Sequence, residues 1–156
     1  MNLLLNTGLV LHICGISLMV GMTIASFATY RQLFIALAED KKNASSLIAP
    51  AELFSRLQIL GGLLIIAGGV SMMIAFQGTI ASQLWFKVKL SLLLLLILNI
   101  TLIFRPARIR LRRSLDAEDP EPAVLAKTRQ LLDLFYVMQF LIFLGIFILS
   151  VFRFNG

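Results

Sequence analysis

The chain has 156 residues, 59% of them hydrophobic and only 14% charged, with a formal net charge of +6. A soluble domain carries charge at about a quarter of its residues, so this composition excludes a soluble globular fold and leaves enough apolar sequence for several membrane spans of roughly 20 residues. A single cysteine, Cys14, and a single histidine, His12, exclude an intramolecular disulfide and any zinc site of clustered Cys and His.

The first apolar run covers about residues 3–29. It lacks the basic start of a secretory signal and is too long for a signal's apolar core, so it reads as a retained span. At 1.5 Å per residue it measures about 40 Å against a hydrocarbon core of about 30 Å, so it tilts or projects. Helical patterning continues through Arg31–Leu37 and breaks at Glu39-Asp40-Lys41-Lys42-Asn43. Pro50 suits the first turn of the next helix. The second span covers about 57–76, and Gln77-Gly78-Thr79 is a turn signal. The connection is short enough to make the second and third spans an antiparallel hairpin. The third span covers about 81–104, with Trp85 placed for the interfacial aromatic belt. Pro106 discourages a regular continuation. Arg105, Arg108, Arg110, Arg112 and Arg113 are then expected in a loop, followed by the acidic, proline-containing stretch 116–122. The fourth span covers about 131–152. The expected architecture is therefore all-α: an integral membrane four-helix bundle forming one domain over 1–156.

Basic residues set the orientation. Arg31, Lys41, Lys42 and Arg56 follow the first span, and the five arginines with Lys127 and Arg129 follow the third. The positive-inside rule puts both basic loops in the cytoplasm and both termini outside, in a bacterial inner membrane. The partners expected for this charge are the lipid bilayer and its anionic headgroups, not nucleic acid.

Ionisable groups inside a span mark function by default. His12 is flanked by Gly8 and Gly15 at i, i+4, i+7 on one helix face, and Met19 and Met22 extend the stripe. Two glycines beside an imidazole leave a flat recess of the kind a porphyrin needs, and imidazole is a common axial ligand of haem iron. The competing reading is a neutral histidine bonded to a neighbouring span, with glycines for close helix packing. Lys87 and Lys89 point about 200° apart, so one can snorkel while the other faces inward. Lys89 and His12 lie at similar depths from the outer face, about 12 and 14 Å. A lysine ligates a metal only when neutral, a form that burial favours. Gly61-Gly62 and Gly68-Gly69, seven apart, allow close helix approach or room for a planar ligand. Met72 and Met73 are alternative soft ligands or simple packing. A second polar group comprises Arg56, Gln58, Asn99, Asp133, Tyr136 and Gln139, of which Asn99 and Gln139 are expected to bond across helices. No phosphate-binding Gly loop, Ser/His/Asp set or pair of intramembrane carboxylates is present, so hydrolytic and ATP-driven chemistry are not expected.

Three segments carry a family resemblance. The run Leu11-His12-Ile13-Cys14-Gly15, with Gly21 and Gln32–Glu39, resembles the first span of the HemJ-type bacterial membrane protoporphyrinogen oxidases. Ser55-Arg56-Leu57 resembles the basic lead-in to that family's second span, and Trp85-Phe86-Lys87-Val88-Lys89-Leu90 resembles its W-x-x-V-K-L motif. The similarity covers roughly residues 8–100; the family's F-R-x-x-N-E-x-P segment is replaced by the acidic stretch. The resemblance implies a b-type haem with His12 and Lys89 as axial ligands, a porphyrin substrate, and electron transfer to the membrane chain. The wider group includes CopD-like copper-resistance membrane proteins, which would imply soft-cation handling by His12 with Met19, Met22, Met72 or Met73. A third reading is an assembly subunit or homo-oligomer that uses its small-residue faces as contacts.

Overall fold

The computed structural model describes residues 2–39, 44, 46–116 and 121–151. All regular structure among them is helical. Four helical runs are long and apolar enough to cross a membrane: Leu3–Ala38, Ile48–Ala75, Leu84–Leu115 and Pro122–Val151. No more than 28% of the most apolar stretch of any of them is buried within the protein. Apolar surface on that scale requires an apolar solvent. The chain is a multi-pass membrane protein. It divides into two compact units, Met1–Gln83 and Leu84–Gly156.

The first unit is a pair of helices, α1 (Asn2–Glu39) and α2 (Ile48–Ala75). On α1 the buried residues Gly8, Gly15, Met19, Thr23, Ser26, Tyr30 and Leu33 recur at spacings of three, four and seven. That period makes one stripe along a helix. On α2 the matching stripe is Ala51, Ser55, Gln58, Gly61, Gly68 and Ala75. Glycine and other small residues dominate because helices in lipid gain nothing from burying large apolar groups and must gain from close packing instead. α2 ends in a Schellman motif: the Gly78 N–H donates to the Met73 carbonyl at 3.1 Å and the Gln77 N–H to the Ile74 carbonyl at 3.0 Å. Gln77 (φ +52°) holds the left-handed position normally given to glycine, and Gly78 (φ +74°) follows it. This is the expected turn, and a 3-10 segment, Thr79–Ser82, completes it.

The second unit contains α3 (Leu84–Asn99), a π-turn (Ile100–Phe104), α4 (Arg105–Asp116) and α5 (Pro122–Val151). The arginines after Pro106 therefore lie on a helix and not in the expected loop. Proline lacks an N–H and its ring presses on the carbonyl four residues back. The wider turn before it, closed by the Arg105 N–H on the Ile100 carbonyl, lets the chain pass without ending the helix. The turn also reorients the buried stripe. Leu96 and Asn99 are buried, then Phe104, Ala107, Leu111 and Ser114. Asn99 and Phe104 would point about 140° apart on a regular α-helix. Across the π-turn both meet α5: Asn99 bonds Gln139, and the Phe104 ring lies 4.6 Å from that of Phe135. α5 begins at Pro122, about nine residues before the expected fourth span, with proline in the first turn, where its missing N–H is not needed.

Candidate functional site around His12

α1 and α2 cross through two glycine contacts in matching register. A Cβ on Gly68 would lie 2.5 Å from the Gly8 carbonyl oxygen and 2.6 Å from the His12 backbone nitrogen. A Cβ on Gly15 would lie 2.7 Å from the Ile65 nitrogen and 2.8 Å from the Gly61 carbonyl oxygen. Both are closer than any real side chain tolerates against backbone. Glycine is therefore required at each crossing so that the two backbones can touch.

His12 sits between these crossings. Its Nδ1 is 2.9 Å from the Ile65 carbonyl oxygen. A carbonyl only accepts, so Nδ1 carries the proton and donates it. In the neutral ring that leaves Nε2 with its lone pair, and Nε2 makes no hydrogen bond among the described residues. The ring is half-buried, and it lies beside Gly69, where a Cβ would be 4.0 Å from Nδ1. The hydrogen bond to a neighbouring helix and the use of glycine for close approach are both present. The recess beside Gly8 and Gly15 is occupied by the α2 backbone, so these two glycines hold α2 in place and line no open slot.

Two methionines share the seam. Met19 is buried, its Cβ 3.1 Å from a Cβ placed on Gly61. Met72 reaches Gly8 one turn before His12, its Cγ 3.1 Å from a Cβ placed there. Further along, the stripe continues through Thr23 and not Met22. The Gln58 Nε2 donates to Thr23 Oγ1 at 2.6 Å, and Thr23 Oγ1 donates to the Met19 carbonyl at 2.8 Å. Thr23 and Ser26 are buried on the same face, and their spacing from Gly15 and Met19 is the signal that places them there. Cys14 is exposed on the outer side of α1.

Lys89 belongs to the second unit. Its Nζ lies over the Trp85 ring, 5.1 Å from the centroid, so the two residues form a cation–π pair one turn apart on α3. Lys87 is exposed, as snorkelling requires. In the same unit Asn99 Nδ2 donates to the Phe135 carbonyl and to Gln139 Oε1, both at 3.1 Å. This is the cross-helix bond expected of them. The Phe135 carbonyl fixes which way the Asn99 amide points. Asn99 Oδ1 and Gln139 Nε2 are left without partners. Arg56 and Asp133 are exposed.

Among the described residues no group of three or more His, Cys, Asp or Glu side chains converges on a metal position. Comparison with protein-family models, characterised proteins and solved structures finds no match to this chain.

Proposed function

We propose that this chain is a bacterial inner-membrane haem-b protein in which His12 supplies an axial imidazole through Nε2, with anionic headgroups partnering its basic segments. One observation carries the haem reading: the His12 Nδ1 proton is committed to the Ile65 carbonyl. Metal-ligating histidines almost always donate their other ring N–H to a carbonyl or carboxylate, which fixes the tautomer and aims the ligating nitrogen. Gly8, Gly15, Gly61 and Gly68 bring that carbonyl within reach. Lys89 is the second ligand that the resemblance implies; it must leave the Trp85 ring and be neutral to serve. A bound haem b supplies one-electron exchange, and a protoporphyrinogen-type substrate fits that chemistry.

The test is an absorption spectrum of the detergent-purified protein before and after dithionite. A Soret band with α and β bands sharpening on reduction is expected, lost in His12→Ala and shifted in Lys89→Met. A Soret band unchanged in His12→Ala would overturn the assignment.

The position of Met72 favours a second reading. Met72 packs against Gly8, the residue one turn before His12, and a thioether with an imidazole suits a soft cation such as Cu(I). Copper binding that depends on His12 and Met72, in a protein with no Soret band, would replace the haem reading.

A further inference from the structure

α4 converts the arginines after the third span into an ordered helical face. Arg105, Ile109 and Arg113 follow at i, i+4 and i+8, with Arg110 beside them, while Ala107, Leu111 and Ser114 take the opposite side. The first set is exposed and the second is buried. Arg105, Arg110 and Arg113 make no ion pair with the described side chains, which do not include that of Asp116. Ile109 is 52% exposed at the centre of this face.

Depth points to what the face meets. Trp85 and Arg105 lie about 30 Å apart along a helix axis, the thickness of the hydrocarbon core. With Trp85 at one boundary, Arg105 stands at the other. Arg110 and Arg113 then lie roughly 8 and 12 Å beyond it, and a headgroup layer is about 5–8 Å deep. Arginine side chains bend back toward it. The guanidinium is a planar fork that matches a phosphate in two parallel hydrogen bonds.

We infer that Arg105, Arg110 and Arg113 form a docking surface for the phosphates of anionic lipids in the cytoplasmic leaflet, with Ile109 contacting the apolar part of the same lipids. Zwitterionic lipids carry their own cation beside the phosphate and are the weaker ligands. This rests on the headgroup reading above and is independent of haem.

The probe is phosphatidylglycerol, titrated against the full-length protein in phosphatidylcholine-containing detergent micelles, with bound lipid counted by native mass spectrometry. One interfacial arginine contributes about 1 kcal/mol, or about fivefold. The triple variant Arg105→Gln/Arg110→Gln/Arg113→Gln should weaken phosphatidylglycerol binding at least about fivefold, and the corresponding triple Lys variant, which keeps charge but loses the forks, should fall between. A control triple, Arg31→Gln/Arg56→Gln/Lys87→Gln, removes equal charge elsewhere and should weaken phosphatidylglycerol binding clearly less than the α4 Gln triple does. Equal losses in both Gln triples would leave general headgroup attraction standing and overturn the α4 surface. No loss in either would overturn both. Arginine-dependent binding of inorganic pyrophosphate that displaces the lipid would assign the face to a soluble phosphate and overturn the proposal as well.

Discussion

The imidazole of His12 is tied through Nδ1 to the carbonyl of Ile65 at 2.9 Å, between two points where the α1 and α2 backbones touch. Anchoring and ligation use different nitrogens of one ring, so they separate by substitution. In His12→Asn the amide nitrogen takes the place of Nδ1 and can still donate to Ile65, but nothing replaces Nε2. The expected outcome is a protein as thermally stable as haem-free wild type, with no Soret band. Haem bound normally by this variant would remove His12 as the ligand.

Gly68→Ala should destabilise the first unit by about 1–3 kcal/mol, because the new methyl meets backbone atoms that cannot rotate away. Gly62→Ala meets nothing within 4 Å and should be neutral or slightly stabilising. Unfolding of both variants in mixed detergent micelles measures the contrast. Equal effects would mean that the glycine crossing is absent.

Gln77 holds a left-handed backbone in the Schellman motif that ends α2. A side chain there costs about 1 kcal/mol relative to glycine. Gln77→Gly should therefore raise stability by about 0.5–1 kcal/mol, read as a higher Tm, whereas Gln77→Val should lower it.

The Asn99–Gln139 pair predicts non-additive behaviour. Asn99→Leu alone strands the whole Gln139 amide and should cost about 1–2 kcal/mol, near the upper end for hydrogen bonds between membrane helices. Gln139→Met should cost a similar amount. The double variant removes both desolvated amides, including the unpartnered Asn99 Oδ1 and Gln139 Nε2, and should recover most of the loss. A double-mutant cycle with no coupling would show that the two side chains do not interact.

Membrane residence, four membrane-length helices and their approximate positions follow from the chain alone, because lipid leaves few alternatives to an apolar helix of a fixed length. The glycine seam was nearly legible too: Gly8 and Gly15 share the seven-residue spacing of Gly61 and Gly68, and matching spacings on two helices set a register. The partner of His12 was not legible, since every residue offers a backbone carbonyl and only the crossing selects that of Ile65. Nor was the passage of the helix through Pro106. Local propensity argues for a break there; the packing of Asn99 and Phe104 on α5 demands a π-turn, and that turn absorbs the proline. Tertiary packing likewise decided that the recess beside His12 is filled by α2, because an empty slot between helices gives up the close contacts that hold them together in lipid.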